Sequence, residues 1–265
     1  MDKKTEQTII DFGKEWKRYQ ENSGYYASAG LFKDFCGPLL SKKEIHGKQI
    51  VEIGSGTGRI VNMLLALGAG HVYAIEPSEA FEVLLKNTQD SHERVTAIQT
   101  SGENIPEIQV DLAVSFGVLH HIPQPRSTVD RVYEILKPGG KFIIWLYGQE
   151  GNQAYLSLFL PIRKITQKLP DPILAGFSEL LNILISIYIL ACRVINLPLK
   201  DYILSVFAKL DWKTRRLNIF DQLNPAYAKY YTREEAINLL SVSGFKNIKI
   251  YHRHDYSWTV IGEKE

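Results

Sequence analysis

Three glycines alternate with small polar residues directly after a short apolar run, in Val51-Glu52-Ile53-Gly54-Ser55-Gly56-Thr57-Gly58-Arg59. A strand ending in such a turn and opening a helix over 60–67 leaves its backbone bare, because glycine admits strained angles and puts no Cβ in a ligand's way. The turn lies at the carboxyl end of the first strand, where open α/β sheets bind ligands. At the end of the next apolar run stands Glu76, followed by Pro77. A carboxylate there can accept hydrogen bonds from both hydroxyls of a ribose. Together the loop and the acid describe a nucleoside site. Spacing opposes two common ligands. A dinucleotide fingerprint counted from Gly54 needs glycine where Arg59 stands, and no G-K-[ST] follows for a triphosphate loop.

Glu52 to Gly58 resembles the E/D-x-G-x-G-x-G motif of class I S-adenosylmethionine methyltransferases of the methyltransferase-11 and methyltransferase-25 type, and Glu76 matches their ribose acid. Further segments match in the family's order. Thr100-Ser101-Gly102-Glu103-Asn104-Ile105-Pro106 resembles the adenine-holding G-D-A-x-x-L-P, and Val110-Asp111-Leu112-Ala113-Val114-Ser115 the fourth strand. Leu119-His120-His121-Ile122 and Leu136-Lys137-Pro138-Gly139-Gly140 match the stretch after that strand and the turn before the fifth. The resemblance implies a Rossmann-like fold and S-adenosyl-L-methionine as cofactor. It assigns cofactor contacts to Glu52, Gly54, Ser55, Gly56, Gly58, Glu76, Ser101, Gly102 and Ser115. Glu52 would orient the methionine ammonium. In one departure, the family's adenine-binding aspartate falls on Ser101, a weaker acceptor.

Transfer from a sulfonium needs an aligned acceptor, exclusion of water and, for a hydroxyl acceptor, removal of a proton. His120 and His121 follow the fourth strand and are the candidate bases, with packing as their alternative role. Amino-group methylation of adenine is argued against by Ser115-Phe116-Gly117-Val118 in place of [ND]-P-P-[YF]. Carbon-5 pyrimidine chemistry needs a cysteine there, and neither Cys36 nor Cys192 is near. A nucleic-acid acceptor is therefore not expected; a small molecule, a sugar or a lipid-linked glycan is. Phe12-Gly13-Lys14-Glu15-Trp16 resembles the F-G-x-x-W start of many such enzymes, which makes Trp16, with Tyr25 and Tyr26, a candidate cap on the cleft. Asp221-Gln222-Leu223-Asn224-Pro225 with Tyr227, Tyr230 and Tyr231 is a second candidate acceptor wall, and Tyr230 the residue chosen from it. Rival readings are a quinone or isoprenoid-ring methyltransferase, a non-catalytic adenosyl-binding regulatory protein and, opposed by Arg59, a nicotinamide oxidoreductase.

The elements that must position these groups are short apolar runs at 50–53, 72–75, 95–98, 112–114 and 142–145, separated by helix-length segments. They read as buried parallel strands of a doubly wound α/β sheet. Two more strands are expected near 247–251 and 257–261, for seven in all with an antiparallel last strand. Thr232 with Glu235 three residues on spells a capping box, and Gly244 a helix end. Four regions follow: a helical cap over 1–48, a cofactor-binding core over 49–150, an apolar helical lid over 151–225, and a closing helix and hairpin over 226–265.

Residues 173–199 are near bilayer-spanning length, flanked by Arg163, Lys164 and Lys168 before and Arg193 and Lys200 around the end. Glu179, Asn182 and Ser186 interrupt the run, and a single span would separate the last strands from their sheet. A buried lid or homodimer helix is the first expectation, and membrane-surface contact the second. In 265 residues, 31 Lys and Arg against 29 Asp and Glu show no basic excess for a phosphate-driven partner. Two cysteines without a motif suggest neither disulfide nor metal, and a cytoplasmic location, with or without membrane association, is expected. The charged N-terminus lacks the apolar core of a signal peptide.

Overall fold

The computed structural model describes residues 3–166, 169–223 and 227–265. Its strands are β1 (Gln49–Ile53), β2 (His71–Ile75), β3 (Val95–Ile98), β4 (Val110–Phe116), β5 (Leu136–Tyr147), β6 (Lys246–Arg253) and β7 (Ser257–Glu263). Its α-helices are α1 (Lys3–Arg18), α2 (Ala29–Cys36), α3 (Arg59–Ala66), α4 (Phe81–Thr88), α5 (Arg126–Ile135), α6 (Gln153–Thr166), α7 (Asp171–Val194), α8 (Lys200–Ser205), α9 (Trp212–Leu223) and α10 (Arg233–Ser241). The strands form one sheet in the order β3-β2-β1-β4-β5-β7-β6. β1 to β5 run parallel, and β7 is antiparallel to both neighbours. The order reverses between β1 and β4, so the loops leaving those two strands open a crevice between them.

Alternation along the strands divides the side chains between two cores. Ile50, Val72 and Val114 pack with Phe32 of α2 and Leu64 of α3 on one face. Val51, Ala113 and Phe142 pack with Val132 of α5 and Leu240 of α10 on the other. The capping box is present: Thr232 Oγ accepts from the Glu235 N–H at 3.2 Å, and Glu235 Oε2 accepts from the Thr232 N–H at 3.0 Å. Gly244, just past that helix, has φ of 99°. Cys36 and Cys192 are buried and unpaired.

Two elements differ from expectation. The Lys137–Gly140 stretch is not a turn ahead of β5 but an irregularity inside it: Val110 pairs with Leu136, and the next partners are Leu112 and Lys141. Pro138 cannot donate to the ladder and Gly139 has φ of 74°, so the chain bows out and rejoins the same strand. The apolar run at 173–199 is not one element either. α7 stops at Val194, and the chain turns through Pro198 and Leu199, whose φ is 57°, into α8. α7 buries one stripe, including Leu174, Ile189 and Cys192, against Ile203, Phe207 and Phe220 of the same insertion. Its other stripe is exposed, so it packs on the insertion through one face only. Lys168 lies outside the described residues.

Candidate active site

The glycine loop follows from its backbone. Gly54, Gly56 and Gly58 have φ of 75°, 51° and 80°, a region that side chains other than glycine's enter at a cost. A Cβ on Gly54 would meet Val118 Cγ2 at 2.5 Å. The N–H groups of Gly54 and Ser55 donate to the Ile75 carbonyl at 2.8 and 2.9 Å, tying the loop to the end of β2. The Gly56 N–H donates to Glu76 Oε2 at 2.7 Å, and Glu76 Oε1 accepts from the Ser78 N–H and hydroxyl. Gly58 departs from the expectation of a cofactor contact. It is off the cavity wall, and its missing Cβ makes room for Leu84 and Thr88 of α4, which that atom would approach to 2.9 and 3.1 Å. The third glycine serves helix packing.

A cavity of about 500 Å³ opens over this loop, within the roughly 300–1,000 Å³ of ligand pockets. Glu52, Gly54, Ser55, Gly56, Glu76, Ser101 and Gly102 all line it. Glu52 is 2% exposed and its Oε2 has no hydrogen-bond partner. Burial pushes its carboxyl up to about 8, against the opposing pull of Ser55 and of the Arg59 guanidinium. A buried carboxylate oxygen with no donor is the complement of a ligand ammonium, and the glycine cradle beside it leaves room for one. These residues therefore fit the amino-acid and ribose parts of S-adenosyl-L-methionine. Ser101 Oγ already accepts from Asn104 Nδ2 at 2.9 Å, leaving its own proton and second lone pair for a ligand. Ser115 is a correction. Its hydroxyl is buried without a partner on the same side of β4 as Ala113, turned away from the cavity, and Phe116, Gly117 and Val118 form the wall instead.

The remaining candidates divide. Trp16 lines the cavity, stacks with Phe12 at 6.4 Å, and lies over Gly56, where an added Cβ would stand 3.4 Å from Trp16 Nε1. Tyr25 does not line it; the next residue does, because Tyr26 turns inward beneath the Arg59 guanidinium, 4.1 Å from its ring. Tyr230 is also one layer behind, stacked at 5.3 Å on Tyr147, which does line the cavity, with its hydroxyl accepting from Arg163 at 3.0 Å. His120 is fully buried off the cavity and stacked on Tyr147 at 3.9 Å. Neither ring nitrogen of His120 makes a well-aligned hydrogen bond, and burial, His121 and Arg163 hold it far below the ordinary histidine range, so it is a neutral packing group.

His121 does line the cavity. Its Nδ1 lies 2.8 Å from the Tyr227 carbonyl, which can only accept, so Nδ1 carries the proton and Nε2 the lone pair. Burial lowers its pKa to about 4 against that hydrogen bond, which makes it a weak base. Asp221 lines the same cavity with Oδ1 unpartnered, and burial raises its carboxyl to about 6 although Arg163 and Arg59 pull the other way. Gln222 joins it on the wall and donates to Tyr147 Oη at 2.7 Å. Asn224 and Pro225 lie outside the described residues.

Sequence reasoning missed Arg59, which faces both Glu52 and Asp221 and donates to the Tyr26 carbonyl at 3.1 Å. It also missed Arg253 and Tyr256 on the wall. Arg253 is 1% exposed and donates to Asp34 of α2 and to Tyr256, with Nε 2.8 Å from Asp34 Oδ2. His254 Nε2 adds a contact to Asp34 at 2.8 Å. Burial disfavours the Asp34 carboxylate, yet these partners hold its pKa below the usual range. No local motif marks a pair 219 residues apart in the chain.

Residues 51–142 match the family profile of a methyltransferase domain. The fold is Rossmann-like, of the class I methyltransferase type, and the matched segment is similar to a methyltransferase domain, which supports S-adenosyl-L-methionine as the cofactor. Among curated proteins, a ubiquinone biosynthesis O-methyltransferase from Aromatoleum aromaticum is 30% identical over 128 residues, covering 47% of this chain and 54% of that protein. A tRNA U34 carboxymethyltransferase from Idiomarina loihiensis is 25% identical over 117 residues, covering 42% of this chain and 36% of that one. The matched part is thus little more than half the length of these relatives, or less. Among solved structures, a Thermotoga maritima methyltransferase described as a possible histamine N-methyltransferase superposes with a TM-score of 0.56 at 16% identity, over 98% of this chain and 99% of that one. At that identity the likeness is one of fold.

Proposed function

We infer that the protein transfers the methyl group of S-adenosyl-L-methionine to a hydroxyl oxygen of a small acceptor. The observation that carries this reading is the buried Glu52 carboxyl, its Oε2 without a hydrogen-bond partner, standing beside the Gly54–Gly56 cradle and Glu76 in one cavity. When bound, the cofactor supplies a sulfonium-activated methyl carbon. Glu52 receives the ammonium, Glu76 receives the ribose hydroxyls through the lone pairs that Gly56 and Ser78 leave free, and Trp16 with Phe12 closes water out. With that carbon supplied, Asp221 on the cavity wall would take the proton of the acceptor hydroxyl. Asp221 is preferred to His121 because a base near 6 takes a proton better than one near 4, while both are unprotonated at neutral pH.

A second reading narrows the acceptor to a quinone-like or isoprenoid-bearing phenol rather than a sugar or lipid-linked glycan. It is favoured by the aromatic wall of Tyr26, Phe35, Phe116, Trp145 and Tyr147, and by the name of the Aromatoleum relative. Calorimetry with S-adenosyl-L-methionine and its demethylated product tests the cofactor half. A 14-dalton gain in a phenolic or a glycolipid fraction, read by mass spectrometry with and without the protein, tests the acceptor half. Binding of neither nucleoside overturns the proposal; binding with no acceptor labelled in any fraction favours a regulatory adenosyl-binding role.

A further inference from the structure

α7 is 24 residues long and, over Pro172–Val194, apolar and long enough to cross a bilayer, with a mean hydropathy of 2.0. Spanning conflicts with the fold. Both ends of α7 return to the same body, α6 on one side and α8 on the other, and the chain after it supplies β6 and β7 to the catalytic sheet. What α7 presents outward is a single stripe. Leu180, Ile183, Leu184, Ile187, Leu190 and Val194 recur at helical spacing and are 47% to 84% exposed. The opposite positions, Ser178 and Asn182 among them, are buried, and Asn182 donates to the Trp212 carbonyl at 3.1 Å. Six large side chains about half bare amount to several hundred Å², on the order of the largest patch on ordinary monomers, roughly 300–600 Å², without counting Ile165, Ile173 and Ile195.

Charge selects the occupant. Residues 151–223 carry nine Lys and Arg against five Asp and Glu, a net +4 in a chain whose total is +2. Exposed Lys164 neighbours Ile165 at the end of α6, and exposed Arg193 neighbours Val194 at the end of α7. Trp212 sits at the stripe's flank, 41% exposed, its indole N–H donating to Glu179 of α7 at 2.7 Å, the posture of an aromatic at a membrane–water boundary. A second copy docked on this stripe would bring two basic insertions together. RNA would engage the basic ends but leave the apolar stripe between them uncovered. We propose that the outer face of α7 lies flat in the surface of an anionic lipid bilayer, apolar stripe in the acyl boundary and basic ends at the headgroups.

The proposal does not depend on the reaction assigned above, although the same insertion contributes Val206, Leu210 and Asp221 to the cavity. The test is flotation of the full chain with phosphatidylcholine vesicles, with and without phosphatidylglycerol. The chain is expected to float with the anionic vesicles, less so as salt is raised. I183E/I187E should lower the partition coefficient at least tenfold while leaving calorimetric binding of S-adenosyl-L-methionine and the thermal midpoint unchanged. Should that variant unfold, L184Q carries the comparison. Two results overturn the proposal: no association with either vesicle, or a concentration-dependent dimer in sedimentation velocity that I183E/I187E dissolves while vesicle binding persists. Cofactor affinity is read on the same samples, so loss of the cofactor reading and loss of the membrane reading are separate outcomes.

Discussion

The Gly56 N–H donates to Glu76 Oε2 at 2.7 Å, so the acid placed for a ribose also holds the loop that faces it. Glu76→Ala therefore removes a ligand partner and strands a buried N–H. Calorimetry is expected to show S-adenosyl-L-methionine binding weakened at least tenfold. The orphaned donor should cost about 1–3 kcal/mol of stability, read by denaturant unfolding. Unchanged binding in that variant would remove Glu76 from the site.

Glu52, raised from 4.5 to about 8, is protonated in the free protein at neutral pH. A ligand ammonium prefers the carboxylate, so cofactor affinity should rise with pH and level off above about 8. Stability should move the other way. The folded state holds a proton that the unfolded state has lost, so stability falls as pH rises from 4.5 to about 8. His121, lowered from 6.5 to about 4, has the opposite slope between those two values, leaving Glu52 as the stronger influence from 6.5 to 8. Glu52→Gln should abolish the decline in that upper window, measured by urea unfolding across pH, and weaken the cofactor.

Asp221→Asn keeps shape and removes the proton acceptor. Turnover is expected to fall by about 10²-fold or more with cofactor affinity unchanged, the usual range for a general base. In the wild type, kcat should rise with pH through about 6 as the carboxylate forms. A profile flat at 6 that breaks near 4 would transfer the role to His121.

Gly58→Ala puts a Cβ at φ of 80° and within 2.9 Å of Leu84 Cδ1. Both effects act on packing, so the expected loss is on the order of 1–3 kcal/mol of stability. Binding measured well below the melting temperature should change less than in Glu76→Ala. The reverse ranking would put position 58 back on the ligand.

What could be read along the chain depended on how local its cause was. The parallel strands, the capping box at Thr232 and the turn angles at Gly54 and Gly56 arise from neighbouring residues and stand as expected. Period-two alternation could have placed Ser115 on the wrong face of β4, since Phe116 points to the cavity and its neighbour cannot. Tyr25 and Tyr26 were indistinguishable until α3 supplied Arg59 to draw one ring inward. Tyr230 and Tyr147 are a stacked pair in which composition does not tell the inner ring from the outer. The Asp34–Arg253 pair exists only because the sheet brings α2 and the end of β6 together.

Gly148 and Tyr231 form a bridge, flanked by the Tyr231 N–H donating to the Tyr147 carbonyl and the Gln149 N–H donating to that of Tyr231, at 2.8 and 2.9 Å. The excursion that carries α6 to α9 thus departs and re-enters through one stitched doorway on the sheet. Everything between those posts is a cassette. A chain spliced from one post to the other would keep the glycine loop and Glu76 but lose Val206, Leu210 and Asp221 from the cavity wall.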